Sequence, residues 1–297
     1  MSVVVRALIL AVATAVSTAV LCSVHVTAAG SSGLQHVTFI GDSVATSISG
    51  TPAALSLLNQ GVDLDFESSP CRRLEDPSCP PGPPTVIDLV KQLGAKVGPT
   101  VVIAVGYNDF ADHYAAEIED VLTALEAANV KHVFWLTLRA AHHPYVGMND
   151  EIVSAAAQHP EVSVVDWNLY SRSHPEWFQA DGLHTLYGGA VAMATLVHQK
   201  LVAAGIAVPP PQVQTKTLPA GRRGRPYSAR VRAVGGEAPY TWSLTGRLPA
   251  GLHLRPDGVI AGTPRGIDAT GTFTLVVRVK DGNGQAAARK LLLRLRR

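Results

Sequence analysis

Cysteine is scarce in this chain of 297 residues, with only Cys22, Cys71 and Cys79. Three thiols cannot form the framework of a small disulfide-stapled scaffold. No further cysteine or well-spaced histidine completes a two-cysteine metal site. Charge is thin too, at 16% of residues, and no long polar low-complexity tract occurs; wholesale disorder is excluded. Beyond the first thirty residues no stretch is long enough to span a bilayer. What is plentiful is apolar character, 47% of the composition. At this length that suffices for two domains or one large one.

The one long apolar run is N-terminal. Arg6 supplies a short positive region, residues 7–24 carry no charge, and the small Thr27, Ala28 and Ala29 follow. This pattern predicts a signal peptide over residues 1–29 and a secreted or cell-envelope protein with no stable membrane span after cleavage. Retention as an anchor is the alternative, since the length is borderline for a span. The small residues and the polar Ser31-Ser32-Gly33 favour cleavage. Cys22 is a poor lipoprotein cysteine, because Leu21 stands where a small residue is wanted. Cys71 and Cys79 then remain as an even pair in an oxidising compartment, and a disulfide is expected. Closing so short a loop contributes about 2.5 kcal/mol on the chain-entropy model.

The net charge of +2 conceals a division. Residues 1–212 hold 9 Lys or Arg against 19 Asp or Glu; residues 213–297 hold 16 against 4. Two units are expected, with different partners or facing each other. The boundaries are 34–206 and 213–297, joined over 207–212 by a stiff spacer containing Pro209-Pro210-Pro211.

In the first unit short apolar runs near 37–40, 62–66, 101–105, 132–138 and 162–166 alternate with helical patterns near 52–58, 86–93, 114–128, 149–158 and 190–204. Near-continuous Val, Ile and Leu in each run predicts a parallel sheet covered on both faces, an α/β fold of three layers. Chemistry in such sheets lies at the carboxyl ends of the strands. The second unit alternates in hydrophobicity between Gly, Pro and Asp turns, an all-β pattern expected to form a small sandwich. In its last strand Leu291, Leu293 and Leu295 should face inward, with Arg294 and Arg296 in solvent.

Three blocks at strand ends or before the last helix carry the chemistry. Gly41-Asp42-Ser43 puts a serine directly after the first strand, where a helix should start and backbone N–H groups meet an oxyanion. Gly106-Tyr107-Asn108-Asp109 puts an amide side chain at the same sheet edge. Asp181-Gly182-Leu183-His184 sets a carboxylate three residues from an imidazole. A serine hydroxyl is a weak nucleophile, so it needs a neutral imidazole to take its proton. A carboxylate fixes the tautomer of that ring and stabilises its charged form. The oxyanion needs preorganised donors.

These ordered blocks, on an alternating parallel pattern over roughly residues 35–204, resemble the SGNH/GDSL hydrolase superfamily, whose domain is a flavodoxin-like three-layer fold. The resemblance implies Ser43 as nucleophile, His184 as base, Asp181 as its orienting partner and Asn108 as an oxyanion donor beside the Ser43 N–H. It also implies an acyl ester as substrate and no cofactor or metal. One departure stands out. The superfamily supplies a further glycine N–H after the second strand, yet residues 67–73 contain none, and Pro70 has no N–H. The backbone of Cys71 or Arg72 is the replacement. In the second unit, Ala238-Pro239-Tyr240-Thr241-Trp242 and Asp257-Gly258-Val259-Ile260-Ala261-Gly262-Thr263-Pro264 resemble the Ig-fold, cadherin-like repeat of bacterial surface proteins, which implies an adhesive module without chemistry.

Plainer roles stand beside these. Ser43 could be a helix cap, Asn108 a loop cap, and Asp181 with His184 a surface pair. Asp109 reads as a supporting or capping group. Arg72 and Arg139 either recognise a polar substrate group or bond local carbonyls, with Arg73 beside them. His142 and His143 read as solvated residues of a loop, and Trp167, Trp177 and Phe178 as pocket wall or core. The expected activity is hydrolysis of an acyl ester, with acetyl on a carbohydrate or cell-wall glycan first, or of a lipid. The alternatives are an O-acyltransferase with the same residues and an envelope-binding or adhesion protein with an inactive hydrolase domain. The basic second unit suggests an anionic envelope polymer as partner, with docking on the acidic unit as the rival. Nucleic acid does not fit an exported chain whose arginines are spread over a β pattern.

Overall fold

The computed structural model describes residues 33–140 and 145–297. The expected signal peptide and the His142-His143 pair therefore lie outside the described residues. Five strands, β1 (His36–Gly41), β2 (Asp63–Ser68), β3 (Thr100–Ala104), β4 (His132–Leu136) and β5 (Val162–Val165), form one sheet in the order β2-β1-β3-β4-β5. All four pairings are parallel. Among the described residues seven α-helices accompany it: α1 (Ser43–Ser49), α2 (Pro52–Leu58), α3 (Val86–Leu93), α4 (Tyr114–Ala127), α5 (Val146–Gln158), α6 (Trp167–Ser171) and α7 (Tyr187–Ala203).

Side chains alternate across a strand, so a continuous apolar run must feed two cores at once. Val37, Phe39, Val102 and Phe134 pack with Ile48, Leu58 and Met193 of α1, α2 and α7. Ile40, Val101, Ile103, Val133 and Trp135 pack with Val90, Ile118 and Ile152 of α3, α4 and α5. Each fully buried large side chain contributes about 1.5–3 kcal/mol over its exposed state. The sheet is thus the middle of three layers. The helices over 52–58 and 86–93 match the sequence expectation. Two others begin three residues earlier than expected, at Val146 and Tyr187. The five-residue α6 is an addition, held by Asp166, whose carboxylate accepts from the Leu169 N–H.

The remaining strands are mostly antiparallel, and all but the last two are short: β6 (Gln212–Val213), β7 (Gly221–Arg222), β8 (Tyr227–Arg230), β9 (Ala233–Val234), β10 (Thr241–Thr245), β11 (Leu252–Leu254), β12 (Val259–Gly262), β13 (Gly271–Lys280) and β14 (Ala286–Arg296). They form sheets β10-β13-β14-β7, β11-β12-β8 and β6-β9. Between them lies a core of Tyr227, Val231, Ile260, Leu275, Val277, Leu291, Leu293 and Leu295. Leu291, Leu293 and Leu295 face inward while Arg294 and Arg296 are exposed, as the alternation predicts.

At the two ends of the 207–212 spacer, Ala207 is buried in the first core beside Ile206, and Gln212 belongs to β6. Val208 donates to the Gly61 carbonyl at 2.9 Å, and Gly236 donates to the Pro209 carbonyl. At Gly61, with φ of +70°, a Cβ would fall 2.1 Å from the Val208 oxygen, so only glycine permits this approach. Among the described residues no helix is long and apolar enough to cross a membrane.

Candidate active site

Asp42 caps α1. Its extended backbone leads out of β1, and its Oδ1 accepts the Val44 N–H at 3.0 Å. Ser43 is therefore the first residue of the helix, where its N–H has no intrahelical acceptor. The other Asp42 oxygen accepts N–H groups from Gly106 at 3.3 Å and Tyr107 at 3.2 Å. One buried carboxylate thus ties the turn after β1 to the turn after β3. Burial pushes its pKa up to about 6, against the pull of these three donors. Gly106 has φ of +151°, and a Cβ there would lie 2.6 Å from the Tyr114 hydroxyl. Glycine opens the second block for that reason.

The Nε2 of His184 lies 3.0 Å from the Ser43 Oγ, and its Nδ1 lies 2.6 Å from Asp181 Oδ2. Asp181 Oδ1 accepts the N–H groups of Leu183 and His184 at 2.9 and 3.0 Å. The Leu183 N–H first, and then the His184 ring and N–H, hold the Asp181 carboxyl down at about 2. An ionised Asp181 calls for a proton on Nδ1, which leaves Nε2 free to accept from the Ser43 hydroxyl. The turn itself is closed by bonds from Gly182 to Gln179 and from Gln179 to His184. Thr185 then anchors it to α1, donating to the Val44 carbonyl at 3.3 Å and meeting the Ser47 hydroxyl.

Cys71 and Cys79 are disulfide-bonded. Cys71 has φ of +64°, a strained setting for a residue with a Cβ. The Arg72 N–H is taken by the Ser69 carbonyl, whereas the Cys71 N–H makes no hydrogen bond among the described residues. Asn108 sits opposite, one amide hydrogen donated to the Arg72 carbonyl at 3.2 Å. Its second amide hydrogen, like the Ser43 and Cys71 N–H groups, has no acceptor among the described residues.

Arg72 and Arg139, read from the sequence as substrate-recognising or carbonyl-bonding, are both buried and bond local carbonyls. Arg139 donates from Nε to the Gly182 carbonyl at 3.0 Å and from Nη1 to the Ser171 carbonyl, with its guanidinium 3.9 Å from the Phe178 ring centroid. Arg72 donates to the Glu67 carbonyl at 3.0 Å. Arg72 thus satisfies a carbonyl near the end of β2, and Arg139 joins the end of α6 to the turn of Asp181 and His184, a use suited to a planar fork of donors. Arg73 lies between Asp109 at 3.6 Å and Glu117 at 3.5 Å, all three buried. Asp109 also accepts the Leu74 N–H at 2.9 Å, a supporting role as expected. Trp167 and Phe178 are core; Trp177 is half-buried between the rings of His174 and Trp167.

Sequence reasoning missed Thr185, Ser47 and the tie made by Asp42. The first two carry no signal, since a threonine after a histidine is ordinary. Asp42 stands in the first block, but its double bond to the third-strand turn depends on which strands adjoin.

Residues 209–294 match the family model described as "Putative Ig domain", in keeping with the expected second unit. Over 104 residues, 35% of this chain, the sequence is 34% identical to O-acetyltransferase OatA of Staphylococcus aureus, covering 16% of that protein. Over 101 residues, 34% of this chain, it is 28% identical to "Putative peptidoglycan O-acetyltransferase YrhL" of Bacillus subtilis, covering 15% of it. The chain thus spans about a sixth of the length of the curated relatives it matches. Among solved structures it is similar to the Clostridium thermocellum family 3 carbohydrate esterase, with 16% identity, 58% of this chain, 96% of that chain and a TM-score of 0.45.

Proposed function

We propose that this chain is an exported serine acyl hydrolase of the SGNH type, acting on an acyl ester of a carbohydrate or cell-wall glycan. The observation that carries the reading is the run from Asp181 Oδ2 through His184 to the Ser43 Oγ, with contacts of 2.6 and 3.0 Å. Ser43 Oγ attacks the ester carbonyl carbon while its proton passes to His184 Nε2. The ring, now cationic, is stabilised by Asp181. The developing oxyanion is met by the Ser43 N–H, the free amide hydrogen of Asn108 and the Cys71 N–H. Each such donor lowers the barrier by about 2.7–4 kcal/mol in comparable sites. Nε2 returns the proton to the leaving alcohol, and an acyl-Ser43 remains. Water, deprotonated by the same ring, then releases the acid.

A second reading keeps every residue in place but lets a sugar hydroxyl replace water in the last step. The two curated relatives favour it, since both carry O-acetyltransferase in their names. They also support acetyl as the acyl group and the cell envelope as the setting. p-Nitrophenyl acetate tests the shared step. The wild type should release a burst of one p-nitrophenolate per protein, and Ser43→Ala should lose at least about 10³ of the rate. An unchanged rate in that variant ends the proposal. Adding acetylatable glycan separates the two readings: acetate appears on the glycan in the transferase case and in solution in the other.

A further inference from the structure

The sheet β10-β13-β14-β7 has one face on the core and the other in solvent. Strand register places Arg278 between Ser243 and Ala288, and Lys280 between Thr241 and Ala286. Lys290 lies beside Val276, Arg294 beside Thr272 and Arg296 beside Arg222. All six cations are exposed, alternating with buried Leu275, Val277, Val279, Leu291, Leu293 and Leu295. None of their side chains makes an ion pair or hydrogen bond among the described residues. The four acidic residues of the unit stand off this face. Asp257 pairs with Arg230 and Arg255, and buried Asp281 accepts N–H groups of Glu237 and Gln285. Glu237 and Asp268 lie in loops.

Core packing does not call for this pattern, because the outward positions touch no core. Like charges on adjoining strands, as at Arg296 and Arg222, destabilise a sheet. Alternate residues of a strand stand about 6.8 Å apart, so the cations form rows that a repeating anion can follow. The cross-strand neighbours of Arg278, Lys280 and Arg294 are Ser, Thr and Ala, short enough to leave the charged heads open and hydroxylated enough to suit sugars. No aromatic ring stands among these outward positions to stack a base, and Val276 and Leu292 are too little apolar surface to enter a lipid layer. Guanidinium forks match phosphate oxygens in pairs.

We propose that this face docks a phosphodiester-linked glycopolymer of the cell envelope and holds the catalytic unit beside its substrate. The setting rests on the exported reading above; the face itself does not depend on Ser43. The experiment uses the full chain and bacterial wall sacculi carrying teichoic acid, compared with sacculi from which hydrofluoric acid has stripped the phosphodiester polymer. The wild type should sediment with the first and not the second, and release as salt rises. The triple variant R278Q/R294Q/R296Q should bind at least about tenfold more weakly, whereas R230Q/R247Q/R265Q, with the same change of net charge off the face, should stay within about threefold. Both triples should hydrolyse p-nitrophenyl acetate like the wild type, which reads the catalytic proposal separately. Equal loss in the two triples, binding indifferent to stripping, or tighter binding to duplex DNA, polygalacturonate or phosphatidylglycerol vesicles overturns the docking proposal.

Discussion

The Nε of Arg139 donates to the Gly182 carbonyl at 3.0 Å, so a residue just beyond β4 supports the turn that carries both Asp181 and His184. The same guanidinium reaches Ser171. On the proposed mechanism it is a positioning residue for the imidazole. Arg139→Met should lower kcat about 10–100-fold with little change in KM, as the ring drifts from Ser43. It should also lose about 1–3 kcal/mol of stability, since the buried Ser171 carbonyl and the half-buried Gly182 carbonyl lose their donor. Steady-state kinetics and urea unfolding check both; a rise in KM alone would point back to substrate recognition.

Asp181→Asn should be far more damaging than its size suggests. Oδ1 already accepts two backbone N–H groups, so an asparagine keeps its oxygen there and turns its NH2 toward His184. Nδ1 must then accept, the proton moves to Nε2, and the Ser43 hydroxyl loses its base. A fall of about 10³–10⁴ in kcat is expected. The proton resonances of the imidazole should report the exchanged tautomer, and a variant with near-normal kcat would refute the assignment.

Burial lifts Asp109 to about 7, and lifts Glu117 as well. The folded state therefore keeps protons that the unfolded chain releases near 3.8. Stability from this cluster is greatest in acid and falls as pH rises through about 7. Asp109→Asn keeps an oxygen for the Leu74 N–H but cannot ionise. Thermal unfolding at pH 5 and 8 should show a smaller difference in the variant than in the wild type; an equal or larger one contradicts the prediction.

Replacing Cys71 and Cys79 together by serine should cost about 2.5 kcal/mol from the reopened loop. It should also reduce kcat, because the Cys71 N–H is freed from the backbone geometry that the bond imposes. Dithiothreitol on the wild type should reproduce the kinetic loss. Loss of stability with intact kcat would remove Cys71 from the oxyanion donors.

Much of this was legible in the sequence. Continuous apolar runs announced strands buried on both sides, and the motif order announced Ser43, Asn108, Asp181 and His184 at one rim. Arg72 and Arg139 were not legible in the same way. Their partners are backbone carbonyls of Glu67, Gly182 and Ser171, which every residue type provides, so no pattern marks them. The ends of the spacer were hard to read for a related reason. Ala207 reads as the start of a linker, yet it is buried in the first core, beside a slot that a glycine at position 61 opens for Val208.

The two oxygens of Asp42 have a wider consequence. They fasten the segment bearing Ser43 to the one bearing the Asn108 amide. On the proposed mechanism, the separation of attack and charge stabilisation is thereby fixed below the surface by a single group. Loops around the rim can be exchanged for other specificities without disturbing it. Anyone transplanting this chemistry to another parallel sheet must move that buried acid too, or the transplanted serine and amide will sit on independent hinges.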